Sequence, residues 1–119
     1  MSILLMAAVL SAAEPLAPVE IDYAPGELAF RALAAGDLRL AERQLKASRT
    51  ANENDTAWQL NYAQFLARSG RVNEASALLR RVVVAPDSEI ILASGEVTGT
   101  REASKRALRQ LRTGRLSAR

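Results

Sequence analysis

With 119 residues the chain has room for one small domain plus extensions. Apolar residues make up 49% of it and aromatics only 4%, so its core is built from Ala, Leu and Val, a composition suited to close helix–helix contact. Cys and His are both absent, which removes disulfides, thiolate nucleophiles, imidazole bases and the usual zinc sites. The formal charge of +3 is unevenly placed: residues 1–87 carry nine Lys/Arg against ten Asp/Glu, whereas residues 88–119 carry seven against three.

Residues 1–13 (MSILLMAAVLSAA) have no charged side chain, and 3–10 form an apolar run. Ser11, Ala12 and Ala13 are small residues of the kind a signal peptidase accepts, with the cut before Glu14. A bilayer span needs about 20 apolar residues, so this run is too short to be one. Two readings stand: an export signal that lacks the usual leading Lys or Arg, or a short helix packed on the domain. The first puts the protein in the periplasm or outside the cell; an uncleaved segment puts it in the cytoplasm. Residues 14–25 (EPLAPVEIDYAP) hold three of the four prolines and read as an extended linker, with Pro25 placed to open the first helix.

The spacing predicts a first helix over 26–35, with Leu28, Ala29, Ala32 and Leu33 on one face and Gly36 as its left-handed stop. Asp37 is placed to cap a second helix over 38–50, whose stripe is Leu38, Ala41, Leu45 and Ser48. Two residues between helices force antiparallel neighbours. After a polar loop at 51–55, Asn54 or Asp55 caps a third helix over 56–69, which carries Trp58, Tyr62 and Phe65. Gly70 ends it. A fourth helix over 73–84 turns Ala75, Leu78, Leu79, Val82 and Val83 inward and Arg80 and Arg81 outward, and Pro86 halts it.

One skeleton recurs at a spacing of 34: Ala29, Gly36, Ala41 and Leu45 stand where Ala63, Gly70, Ala75 and Leu79 stand later. A fixed period of that size marks a helical repeat array. Beyond Pro86 the period fails. Residues 89–93 and 96–98 flank Ser94 and Gly95 with β-branched residues and predict a hairpin, the alternative being a further helix with Gly95 near its middle. Thr100 is placed to cap a last helix over 101–112, with Ala103, Ala107, Leu108 and Leu111 on one side, and 113–119 is a basic tail.

These residues resemble the tetratricopeptide repeat family, over about 22–53 and 56–87, with 88–112 as a degenerate cap. The small residues Ala63 and Ala75, and Ala29 and Ala41, fall where that family crosses its paired helices; Gly70 and Gly36 fall at the turn, and Leu66, Leu79 and Pro86 match its large apolar and closing positions. The sequence departs from the pattern at Trp58, one position early, at Ala32, where an aromatic is usual, and at Pro86, one residue early. The resemblance implies a mainly α fold: antiparallel helix pairs stacked as a short solenoid over 26–112, closed by a small β-hairpin and a C-terminal capping helix. It also implies a non-enzymatic protein–protein adaptor without cofactor or metal, whose partner is another protein or peptide, with self-association through an exposed repeat end as a further possibility. The family lines a concave surface with the first helix of each pair, which here gives Phe30, Leu33, Leu60, Asn61, Gln64 and Arg68 as partner-binding candidates.

Other motifs are better explained by structure. Asn52 to Asp55 lacks the Gly and Glu that a calcium loop needs, with Ala57 and Ala63 in their places, and reads as helix capping. Gly95 to Gly99 has no Lys or second Gly where a phosphate loop requires them. One rival function remains: Arg101, Lys105, Arg109 and Arg112 form a stripe along the last helix that could meet a nucleic acid or an anionic membrane. No aromatic interleaves those cations, so nucleic acid is the less favoured partner.

Overall fold

The computed structural model describes residues 28–92 and 94–114. The apolar segment 1–13, the linker 14–25 and residues 115–119 lie outside the described residues. Among the described residues the fold is helical with one two-stranded sheet: α1 Phe30–Ala35, α2 Leu38–Ala47, α3 Arg49–Asn52, α4 Thr56–Arg68, α5 Val72–Val84, β1 Glu89–Ile91, β2 Val97–Gly99 and α6 Thr100–Arg112.

Two left-handed glycines set the connectivity. Gly36 (φ 76) and Gly70 (φ 84) let the chain reverse immediately after α1 and α4. In each turn the next N–H reaches back into the helix just ended, Asp37 to the Ala32 carbonyl and Arg71 to the Leu66 carbonyl, both at 2.8 Å. Asp37 then caps α2 by accepting from the Leu40 N–H at 3.1 Å, and Asp55 caps α4 by accepting from Ala57 at 2.7 Å and Trp58 at 3.3 Å.

The core is the predicted one. Ala41 and Ala75, and Leu45 and Leu79, are fully buried in equivalent places of the two pairs, and Ala63, Ala103 and Ala107 join them. Leu78 and Val83 are half-buried, while Arg80 and Arg81 face outward. Helix α5 packs between α4 and α6, while α4 also meets α1, α2 and α6. Helix α4 is consequently buried at every position from Ala57 to Ala67.

Three local expectations need correction. Among the described residues the helix of this stretch starts at Phe30, because Ala29 takes a left-handed conformation (φ 57, ψ 28) and breaks the helical path directly ahead of it, so Leu28 and Ala29 are not part of it. The second helix stops at Ala47, and 49–52 continue as the separate turn α3, so the loop predicted at 51–55 is shorter. Ser48 makes that break: its hydroxyl donates to the Leu45 carbonyl at 3.2 Å and accepts from the Trp58 indole at 2.9 Å. The hairpin expected after Pro86 forms, with β1 and β2 antiparallel and Ile90 opposite Thr98. Gly95 (φ 93) supplies its turn.

The last correction concerns the cap of α6. Thr100 is the first residue of the helix, and the carboxylate at its N-terminus comes from a distant loop: Asp87 accepts from the Arg101 N–H at 3.0 Å and from the Thr100 hydroxyl at 3.3 Å. Gly99 permits this approach, since a Cβ there would lie 2.8 Å from an Asp87 carboxylate oxygen. Hydrogen bonding by the Arg101 N–H, helped by the Thr100 hydroxyl, holds the Asp87 carboxyl below its ordinary pKa.

Candidate functional site

The six residues singled out for a concave surface do come together, mostly as interior. Leu33, Leu60, Asn61 and Gln64 are fully buried, and only Phe30 and Arg68 keep partial exposure. The Asn61 amide donates to the Leu28 carbonyl at 2.8 Å, directly before the left-handed Ala29. Arg68 donates to the Leu33 carbonyl in the last turn of α1. A guanidinium there complements the negative end of the helix, and burial lowers its pKa from the usual arginine value. Both side chains therefore join the second pair to the first. The Arg31 guanidinium lies 5.7 Å from the centre of the Phe30 ring.

The basic stripe is broken by its first member. Arg101 donates to the Val83 and Ala85 carbonyls at 2.9 and 3.1 Å, so it caps the C-terminus of α5. Arg109 stands 4.0 Å from Glu102. Lys105 and Arg112 are exposed. Arg106, beside the stripe, is paired with Glu96 of the hairpin, its second nitrogen at 2.9 Å from the carboxylate. That pair raises the Arg106 pKa and lowers the Glu96 pKa.

A cleft of about 420 Å³ opens on the opposite flank of α4, between the α3 region and α5. Its floor is Trp58, Tyr62 and Leu66, and Leu78 and Ala77 line the α5 side. Trp58 and Tyr62 are stacked with centroids 4.9 Å apart, and Tyr62 and Phe65 continue the ladder at 5.9 Å. Arg49 lies 5.6 Å from the centre of the Tyr62 ring. At the rim, Glu74 is held by Arg71 through contacts of 2.7 and 3.0 Å. The cleft was not legible as a site. Trp58, Tyr62 and Leu66 at i, i+4, i+8 show a buried stripe, but only the break at Ser48 places Arg49 above it.

Among the described residues no group of three His, Cys, Asp or Glu side chains converges to hold a metal ion. No helix among them is long and apolar enough to cross a membrane.

Residues 32–89 match the family model of the tetratricopeptide repeat. That stretch, from α1 to the first residue of β1, is similar to the tetratricopeptide repeat, a family whose members are generally protein–protein interaction modules. The match stops before α6. No curated protein and no solved structure gives a significant match to the chain.

Proposed function

We propose that this protein is a small, non-enzymatic adaptor that holds another polypeptide and works in the cell envelope after losing residues 1–13. The observation that supports binding most is the division of labour around α4. Eleven consecutive residues of that helix are buried as scaffold, while beside it a cleft stays open, with Arg49, Glu74, Ala77 and Arg81 as its exposed lining. A repeat region of a protein-binding family with such an opening is suited to receive part of a partner chain. The edge around Phe30 and Arg68, with the exposed Arg31 beside it, is another place where the first helices keep surface. Export rests on the apolar run 3–10 followed by Ser11, Ala12 and Ala13.

Photo-reactive phenylalanine placed in the full chain at Arg31, Ala77 or Lys105, all exposed, tests binding in cells. These positions sample the concave edge, the cleft and the basic helix. A discrete adduct from Arg31 or Ala77 is expected, and none from any of the three contradicts the adaptor reading. Mass spectrometry of the mature N-terminus tests export: a start at Glu14 supports it and a retained Met1 contradicts it.

A further inference from the structure

Helices α5 and α6 run antiparallel, and two contacts set their register. The Ser104 hydroxyl donates to the Leu79 carbonyl, and the Arg101 guanidinium donates to the carbonyls of Val83 and Ala85. The neighbours Arg80 and Lys105, both exposed, therefore stand at one level of the pair. One turn beyond Arg80 is Val84, 82% exposed and one of two large hydrophobic residues left open among the described residues. Arg80 and Arg81 precede it by four and three positions, which sets them on its flanks. Arg101 is tied to the residues on either side of it.

The charges of this surface have no counter-charge. Among the described residues no carboxylate lies within ion-pair distance of Arg80, Arg81, Arg101 or Lys105. The carboxylates of the same end are engaged elsewhere: Asp87 accepts from the first turn of α6, and Glu102 stands 4.0 Å from Arg109. Glu89, on β1, is the remaining one.

An exposed aliphatic side chain ringed by cations fits the boundary between water and hydrocarbon. There the stem of an arginine or lysine lies along apolar groups while its charge stays at headgroup level. Guanidinium groups donate paired hydrogen bonds to phosphates, and each cation close to an anionic lipid surface strengthens binding about fivefold. A nucleic acid offers the same phosphates, but this face has nothing on which bases could stack: the described aromatics Phe30, Trp58, Tyr62 and Phe65 lie on α1 and α4.

We propose that the ridge of α5 and α6 around Val84 docks on an anionic lipid surface, with Arg80, Arg81, Arg101 and Lys105 at the lipid phosphates. This contact is additional to the adaptor role and does not depend on it.

The chain has no cysteine, so Val84→Cys carrying a nitrobenzoxadiazole label reports from one place in the full chain. Arg39→Cys, at an exposed position of α2, carries the same label as the reference. Vesicles of phosphatidylcholine mixed with phosphatidylglycerol, at low salt, should blue-shift the first label and leave the second unchanged. Pure phosphatidylcholine should shift neither. In the chain labelled at Val84→Cys, Arg80→Gln/Lys105→Gln should weaken vesicle binding more than about tenfold. Arg39→Gln/Arg43→Gln, which removes the same charge from α2, should weaken it less than about threefold. If the first double variant loses helicity by circular dichroism, Lys105→Gln carries the test, with a loss of about fivefold. No shift of the Val84→Cys label, an equal shift with pure phosphatidylcholine, or an equal loss in the α2 variant overturns the proposal. A response to duplex DNA and none to vesicles overturns it in favour of a nucleic acid. Adducts from Arg31 or Ala77 report a protein partner whatever the vesicles do, so the adaptor role and the lipid contact fail separately.

Discussion

The Ser104 hydroxyl donates a 2.6 Å hydrogen bond to the carbonyl oxygen of Leu79, inside the seam between α5 and α6. Both residues are fully buried. The last helix is therefore fastened to the second repeat by a polar contact at the centre of an alanine-lined interface, with Ala103 and Ala107 on either side. Removing the hydroxyl in Ser104→Ala should cost about 1 kcal/mol. The larger Ser104→Leu change should overpack the seam and cost about 1–3 kcal/mol. Urea denaturation followed by far-UV circular dichroism distinguishes the two, and a neutral Ser104→Leu would show that α6 does not sit closely on α5.

Leu45 and Leu79 hold corresponding interior places in the two pairs, both with no exposed surface. Leu79→Ala should cost about 2–5 kcal/mol through lost transfer and the cavity left behind. Leu45→Ala should fall in the same range, because one design is used twice. The denaturation midpoint measures both, and a surface-like loss below about 0.5 kcal/mol at either site would contradict the equivalence.

Ala29 and Ala63 are 34 residues apart and match by repeat position, yet their backbones differ. Ala29 is left-handed with φ 57, whereas Ala63 lies in the middle of α4. Glycine relieves the first conformation and weakens the second. Ala63→Gly should therefore be more destabilising than Ala29→Gly by about 2 kcal/mol, from helix propensity at one site and relief of left-handed strain at the other. Equal costs in chemical denaturation would mean that Ala29 is helical.

The carboxylate of Asp87 stabilises the start of α6 only while ionised. Its folded pKa is depressed, first by the Arg101 N–H. Its contribution is therefore present above the unfolded aspartate value of about 4 and is lost as pH falls through the folded value. Glu96, lowered by its hydrogen bond with Arg106, adds a term of the same sign. Asp87→Asn should flatten the acid limb of stability against pH, and thermal melts from pH 7 down to acid should show it. An unchanged acid limb in the variant would remove Asp87 from the cap.

The helix pairs could be read from the chain because their determinants are local. Gly36, Gly70, Asp37 and Asp55 act within a few residues of where they stand, and the Ala/Leu spacing repeats. What escaped reading depends on contacts across distance. Asp87 caps a helix 13 residues on, and Thr100 looked like the cap because Ser, Thr and Asp are interchangeable signals in sequence. Arg101 appeared to belong to a cationic stripe until α5 ended beside it and took two of its N–H groups. Asn61 and Arg68 read as a polar binding face. Their amide and guanidinium instead satisfy backbone carbonyls of the first pair, which no helical periodicity can reveal. The cleft was hidden for the same reason, since it exists only where three separate helices meet.

The stacking of like pairs is tested most directly by the single tryptophan. The Trp58 indole N–H donates to the Ser48 hydroxyl at 2.9 Å, across the boundary between the first pair and the second. A nuclear Overhauser spectrum of the full chain contains one indole N–H resonance, and it should show cross-peaks to the β protons of Ser48 and slow exchange with water. An indole that contacts only its own helix, or exchanges freely with solvent, would contradict the stacked arrangement and with it every surface assigned to the protein.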